Sequence, residues 1–364
     1  MQNEELSRWR QLEPSQIQER LRLSPAETQR WTDVPDGQAS AGVGSVALPA
    51  DHAAADLIVQ LGVDRADVPR FLATRPDMRR DPELYWLLDR CCRWLIDRMG
   101  RPDPAYHAWP KIDSAGLVGE FLYAWAFLAV LPAVRRYHAS VGLSEDESWD
   151  SLSALGRELR DSHTGTGLGP TWMLPLVFSD VSFRLGRLAF DQRAPAANTH
   201  PVLMPGEGSW NLHVPGDGGP ITPALCTASM VRAVELSRRL SQTAVVFCCH
   251  SWLMEPQLQD HLSADSNIVQ FQSRFDHFTD SRIADADPIH YVFGRELAGV
   301  GDRTAFRDQL PQETSLQRAI VAVLKSGNHW HTRTGWSRTA ARPDTGSRPK
   351  APAERRASEG EAGR

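Results

Sequence analysis

The spacing of apolar residues changes near residue 181, and that change divides the chain into two halves. Upstream they recur every three or four positions. The run D-P-E-L-Y-W-L-L-D-R-C-C-R-W-L-I-D-R-M-G places bulky apolar residues at 84, 87, 88, 91, 94, 95 and 99. This stripe predicts a core-facing helix opened by Asp81 and Pro82 and stopped by Gly100. A-A-D-L-I-V-Q-L-G-V predicts a helix ended by Gly62, residues 115–140 a helix kinked near Pro132, and residues 149–160 a further one. Cys91, Cys92, Trp94 and Trp125 read as packing, and His138, near a helix end, as a cap or surface residue. Before all of these, residues 4–12, 14–23 and 25–31 predict short helices, marginal alone and expected to dock loosely or be partly disordered.

Beyond residue 181 the period shortens to two. F-R-L-G-R-L-A-F-D-Q alternates on Phe183 and Leu185, then one register on at Leu188 and Phe190, with Gly186 as a bulge. A Pro/Ala/Asn loop over 193–208 leads to a strand at 210–214, antiparallel to it. A glycine turn (Gly216, Gly218, Gly219) then delivers the chain to a helix over 223–240 and a second strand at 243–249, parallel to the first. Thr222 is placed to cap that helix and Pro223 to open it. Residues 255–261 predict a short helix, 268–278 and 288–294 two strands, and 314–325 a helix. H-W-H-T-R-T-G-W closes the fold, and from Arg338 the composition predicts a disordered tail. The plan is α+β: a helical domain in front of a mixed sheet with helices on its faces.

Composition narrows the function classes. The chain of 364 residues carries 40 basic and 45 acidic side chains, without a basic stripe, which argues against nucleic acid as a partner. The first residues lack the apolar core of a signal peptide, and the apolar run over 121–134 is too short to span a bilayer. Five cysteines, four of them in vicinal pairs, form no disulfide framework, so a cytoplasmic protein without a membrane partner is expected. The glycine turn feeding a helix N-terminus reads as an anion site, suited to a phosphate or pyrophosphate.

The runs L-H-V-P-G-D-G-G-P-I-T-P, F-C-C-H-S-W-L-M-E-P-Q-L and N-I-V-Q-F-Q-S-R-F resemble the GNAT-like C-terminal domain of a bacterial acyltransferase-type family. That family carries an H-I-P-x-x-G-P-L-x-P and a C-x-S-W-L-L-x-P stretch. F-R-L-G-R-L-A-F and L-P-A-V-R-R-Y-H-A-S-V-G-L resemble its helical N-acyltransferase N-terminal domain and the junction after it. L-P-Q-E-T-S-L-Q-R-A-I and G-N-H-W-H-T-R-T-G-W continue the likeness, which covers about residues 54–336. It implies a leader over 1–50, a helical domain over 51–182, a GNAT-like domain over 183–337 and a tail over 338–364. It also implies acetyl-CoA or another acyl-CoA as co-substrate, a small-molecule acceptor of the amine type, and no metal. The CoA pyrophosphate would sit on Val214, Pro215, Gly216, Gly218, Gly219, Ile221 and Thr222. The sequence departs from the ordinary Q/R-x-x-G-x-G/A turn, because no basic or amide residue leads it and Asp217 stands within it.

Acyl transfer to an amine needs a base, donors for the oxyanion and an acid for the leaving thiolate. Alternation puts Cys248 and His250 on one strand face, Cys249 and Ser251 on the other, and His213 on the face of Asn211. His213 and His250 are therefore base candidates where the two strands splay, Glu255 is a further base candidate, and Ser251 is the candidate acid. Two rival readings accompany this one. The first is a catalytically degenerate GNAT-like module that binds a ligand or partner. The second is a metal-dependent enzyme using His329, His331 and another histidine.

Overall fold

The computed structural model describes residues 8–35, 47–102, 109–112, 115–161, 173–194, 202–240 and 245–338. The expected linker, most of the tail and the start of the strand read at 243–249 lie outside these residues. Nine helices precede the sheet among the described residues: α1 (Pro14–Leu21), α2 (Pro25–Thr32), α3 (Asp51–Gln60), α4 (Val68–Leu72), α5 (Pro82–Asp97), α6 (Gly116–Ser140), α7 (Glu145–Leu152), α8 (Ala154–Asp161) and α9 (Met173–Phe178). α5 and α6 form the centre of this half, and α6 runs through Pro132. The leader differs from its expectation. Trp9, Ile17, Leu21, Leu23, Trp31 and Val34 are all buried in the same core as α5 and α6, and Arg90 Nη1 donates to Val34 O at 2.8 Å. Helices that are marginal alone are held here by burial, which is worth about 2 kcal/mol for each large apolar side chain.

The second half is a six-stranded mixed sheet in the order β1-β2-β3-β4-β6-β5. Its strands are β1 (Ser182–Leu185), β2 (Leu188–Arg193), β3 (Ser209–His213), β4 (Phe247–Ser251), β5 (His277–Ile283) and β6 (His331–Ser337). β3 and β4 are parallel, joined through α10 (Pro223–Arg239), and the other neighbours are antiparallel. Later helices are α11 (Leu258–His261), α12 (Asn267–Gln272), α13 (Ala286–Phe293), α14 (Arg303–Asp308) and α15 (Ser315–Lys325). One sheet face, bearing Phe183, Leu185, Leu188, Phe190, Trp210 and Phe247, packs on Met230 of α10, Phe271 of α12 and Ile320 of α15.

Three local expectations change. Gly186 is no bulge within one strand; it takes φ 80 in a two-residue turn that pairs Leu185 with Leu188, making a hairpin. Residues 268–278 divide into a helix and the start of a strand, because the Ser266 side chain caps α12 by accepting from Val269 N. Residues 288–294 form most of α13, not a strand. Pro288 lies in the first turn, where no N–H is needed, and Gly294 ends the helix at φ 60.

The two halves meet along β1. Ser151 Oγ of α7 accepts from Arg184 N at 2.9 Å, and Arg232 of α10 holds Glu147 of α7 through contacts of 2.6 to 2.8 Å. His138 is neither a surface residue nor a cap. It is 1% exposed, with Nδ1 2.6 Å from Ser148 Oγ and Nε2 2.8 Å from Asp180 Oδ1, at the joint between α6, α7 and the approach to β1.

Candidate functional site

The sheet face opposite the apolar core is polar, and the register of the strands says which residues share it. Asp191 of β2 stands opposite Asn211 of β3, Asn211 opposite Cys248 of β4, and His250 opposite Thr334 of β6. Alternation adds His213, two residues beyond Asn211. The β3–β4 ladder holds only the pairs Trp210–Phe247 and Asn211–Cys248. Beyond it the parallel strands part, with His213 and His250 at their carboxyl ends. This is the end of a parallel pair at which open sheets leave a crevice.

Within the crevice His213 does not stand alone. Its Nε2 contacts Asp191 Oδ1, and Asn211 Nδ2 donates to the same oxygen at 3.2 Å. Arg193 Nε lies 2.8 Å from the other Asp191 oxygen. Asp191 is 1% exposed, whereas the His213 side chain keeps about a fifth of its surface open. An ionised carboxylate only accepts, so Nε2 carries the ring hydrogen and Nδ1 keeps a basic lone pair. A proton taken at Nδ1 would make an imidazolium facing Asp191, the pairing expected of a general base and its orienting carboxylate. Sequence reading found His213 and missed Asp191, since the two lie 22 positions apart and only the β2–β3 register joins them.

The glycine turn follows at once. Residues Gly216–Gly218 form a single 3₁₀ turn, Gly219 takes φ 70, and Thr222 caps α10 by accepting from Leu225 N at 3.4 Å. Arg187, from the tip of the β1–β2 hairpin, donates to Pro215 O at 2.9 Å and to Gly219 O at 3.0 and 2.7 Å. Gly218 is a glycine for that reason: a Cβ there would lie 2.9 Å from Arg187 Nη1. Tying these carbonyls down favours an outward aim for the turn's N–H groups. Val214 packs in part, and Ile221 wholly, against the apolar core, which leaves their backbones as the groups available to a ligand.

Asp217, the apparent misfit in this turn, is engaged. Arg184 Nη1 donates to both its oxygens, at 2.8 and 3.0 Å, and Arg157 lies 3.6 Å away. Burial works to raise its pKa, but the Arg184 hydrogen bonds and the charges of Arg184 and Arg157 outweigh it and hold the carboxyl below its usual range. With Asp150 also bound to Arg184, the turn is surrounded by three guanidiniums against two carboxylates. Basic side chains thus reach the turn from β1 (Arg184), the β1–β2 hairpin (Arg187) and α8 (Arg157).

The remaining candidates separate. His250 Nδ1 lies 2.8 Å from Thr334 Oγ1, and partial desolvation by its neighbours lowers its pKa. Ser251 points to the other face, where its Oγ accepts from Leu253 N and caps a 3₁₀ turn. Glu255 is buried against Arg333 and His331, which share that other face, so it is an ion-pair anchor away from His213 and His250. Cys248 is buried, with its thiol pushed up to about 12 chiefly by desolvation, and Cys249 is raised further, so neither is an activated nucleophile. His329 binds Asp285 at 2.9 Å while His331 faces Glu255; they do not converge, and among the described residues no three His, Cys, Asp or Glu side chains form a metal-holding group. No helix among the described residues is long and apolar enough to cross a membrane.

Comparison with known proteins gives two family matches. Residues 52–172 match the N-acyltransferase N-terminal domain, and residues 182–337 match the GNAT-like C-terminal domain. Solved structures of acyltransferases superpose over nearly the whole molecule. One, in complex with CoA and 10C-teicoplanin, is 30% identical with a TM-score of 0.75, covering 90% of this chain and 99% of its own. A second, in complex with decanoyl-CoA and teicoplanin, gives the same values. A third, a variant in complex with octanoyl-CoA, is 29% identical with a TM-score of 0.76 and the same coverage. Nothing among curated proteins matches.

Proposed function

This chain belongs to the acyltransferase family built from an N-acyltransferase N-terminal domain and a GNAT-like C-terminal domain, and we propose that it moves an acyl group from acyl-CoA to an amine of a small-molecule acceptor. The octanoyl- and decanoyl-CoA complexes of its relatives favour a medium-length acyl chain, and their teicoplanin complexes make teicoplanin the first acceptor to try. The observation that carries the reading is one of placement. The base pair His213–Asp191 sits at the end of β3, and the braced glycine turn begins three residues later at the N-terminus of α10. A thioester held by its pyrophosphate on that turn would run along the gap between β3 and β4, past His213.

In this reading the backbone of residues 214–222 and the positive end of α10 hold the pyrophosphate. The amine attacks the thioester carbonyl, a C–N bond forms, and Nδ1 of His213 takes the proton that the nitrogen must lose. The C–S bond breaks, and the departing CoA thiolate takes that proton from His213. Asp191 keeps the ring oriented and offsets its transient charge.

The test is calorimetric titration of the full chain with CoA, acetyl-CoA and decanoyl-CoA, followed by mass spectrometry of teicoplanin incubated with the protein and the tightest acyl donor. Micromolar binding, lost at least tenfold in Arg187→Ala, is expected. Well-folded protein that binds none of the three returns the chain to a non-catalytic binding module. Of the two features that favour that second reading, the missing Q/R of the turn still stands, while Asp217 is neutralised by Arg184.

A further inference from the structure

The polar sheet face carries a second histidine whose surroundings fix its hydrogens one by one. Trp336 Nε1 can only donate, and it donates to Thr279 Oγ1 at 2.8 Å. Thr279 in turn donates to Asp280 Oδ2 at 3.3 Å, and Thr334, from the neighbouring strand, donates to the same oxygen at 3.0 Å. Once the Thr334 hydroxyl has given its one hydrogen to Asp280, its oxygen can only accept from His250 Nδ1, 2.8 Å away. His250 is therefore held with hydrogen on Nδ1 and a bare lone pair on Nε2.

The carboxylate that sets this direction occupies an unusual backbone position. Asp280 has φ 58, one of three non-glycine residues with positive φ among those described. It lies where the β5–β6 register slips between the pairs Thr279–Thr334 and Arg282–Thr332. β5 is an edge strand with its side chains largely exposed, so packing does not demand the irregularity. A bulge beside a crevice commonly re-aims one side chain, and aspartate is among the residues that tolerate this conformation. What the slip achieves here is a carboxylate turned onto Thr334.

We propose that Asp280, acting through Thr334, is a positioning residue that presents Nε2 of His250 as a second proton acceptor for the acyl transfer. This rests on the acyltransferase reading. An amine acceptor arrives as R–NH₃⁺ and must lose one proton before it attacks and another afterwards. Nε2 of His250 takes the first, leaving R–NH₂ and an imidazolium that returns its proton to water. His213 takes the second and passes it to the thiolate, so the products are the amide, CoA–SH and one solvent proton. The lowered pKa of His250, set mainly by burial, suits an acceptor that must be neutral beforehand. Asp280 and Asp287 act to raise that pKa, and Arg282 and Arg193 to lower it, across β5, α13 and β2.

The experiment is ¹⁵N NMR of the histidine rings in the full chain, with steady-state kinetics on the same variants. The wild type is expected to show His250 protonated on Nδ1 alone at pH 7.5. Thr334→Val should move the hydrogen towards Nε2, the form a free imidazole prefers, and Thr334→Ser should restore the original. Asp280→Asn should shift the His250 titration to lower pH and cut kcat/KM by about tenfold, with KM for acyl-CoA held within about twofold. Hydrogen on Nε2 in the wild type, or an unchanged ring in Thr334→Val, overturns the relay. The expected tautomer combined with full turnover in His250→Ala overturns the proton-accepting role. Absence of acyl-CoA binding defeats the acyltransferase reading and shows separately, because the ring spectra need no substrate.

Discussion

Two of the molecule's histidine–aspartate pairs, each with a fully buried carboxylate, stand in opposite settings. His138 and Asp180 lie between the helical half and the sheet, 1% and 0% exposed, with Ser148 on the other ring nitrogen. His213 and Asp191 lie where β3 and β4 part, with only the carboxylate buried. On chemical grounds the first is the fuller set, since serine, histidine and aspartate are all in reach. It nevertheless has no surface on which a substrate could rest. The second lacks a nucleophile but has an opening and a glycine turn beside it. Residue types therefore do not decide which pair is the candidate base. Access does, and access comes from the sheet register and the short β3–β4 ladder.

Alignment differs too. The His138–Asp180 contact is close, yet neither Asp180 oxygen has a well-directed donor among the described residues. Asp180 also sits at φ 58. Burial raises its pKa to about 6, with the hydrogen bond and charge of His138 pulling the other way. Asp191 has one well-partnered oxygen instead: Oδ1 meets His213 and accepts from Asn211, while Oδ2 has only the close charge of Arg193 without a well-directed donor.

The largest effect that would break the comparison is on turnover. His213→Ala should lower kcat by about a thousandfold and Asp191→Asn by about a hundredfold, with the unfolding midpoint little changed for His213→Ala. Release of CoA thiol is the readout. Full turnover in His213→Ala would leave both pairs structural. The converse variant, His138→Ala, should destabilise the fold by about 3 kcal/mol, measured by urea unfolding, because it strands Asp180 in the interior. Turnover per folded molecule should stay within about twofold of wild type. A large loss there would mean that the sealed pair reaches the chemistry.

pH separates the pairs further. Free aspartate titrates near 3.9, so between that value and about 6 the folded protein binds a proton at Asp180 that the unfolded chain does not. That contribution to stability is full below about pH 4 and is lost as pH rises through 6. Asp180→Asn, neutral and equally tolerant of positive φ, should lack this dependence. The unfolding free energy of wild type relative to that of the variant should therefore fall by about 2 kcal/mol from pH 4 to pH 7. A constant difference would mean that Asp180 stays ionised throughout and that its contact with His138 is better aligned than its geometry indicates.

Much of the second half was legible in the chain. Thr222 and Pro223 marked the start of α10, and alternation put His250 on the Cys248 face and Ser251 on the other. Periodicity could not show what depends on partners distant in sequence. Asp191, Thr334 and Asp280 meet His213 and His250 only through strand pairing. Arg184 and Arg187 reach the glycine turn from a hairpin that sequence reading took for one strand. Short apolar runs misled as well. Residues 268–278 and 288–294 fit a period of two, but Ser266, Pro288 and Gly294 carried the helix signals that decided the outcome. His138 looked like a surface residue because its burial comes from α7 and Asp180 rather than from its own helix.

The smallest expected effect sharpens the comparison most. Ser148→Ala removes the hydroxyl 2.6 Å from His138 Nδ1 without touching Asp180. A buried hydrogen bond lost in this way costs about 1 to 2 kcal/mol, since the ring nitrogen is left without a partner. If the pair is only a tie between the halves, that cost should appear in unfolding midpoint alone, with kcat and KM unchanged at a temperature where the variant is folded. A change in kcat of more than about threefold, with stability intact, would instead make Ser148 part of a proton path and the two histidine sites functionally alike. The seal around His138, closed by α6, α7 and the approach to β1, argues for the first outcome. A proton that cannot reach water or substrate cannot be exchanged within a turnover.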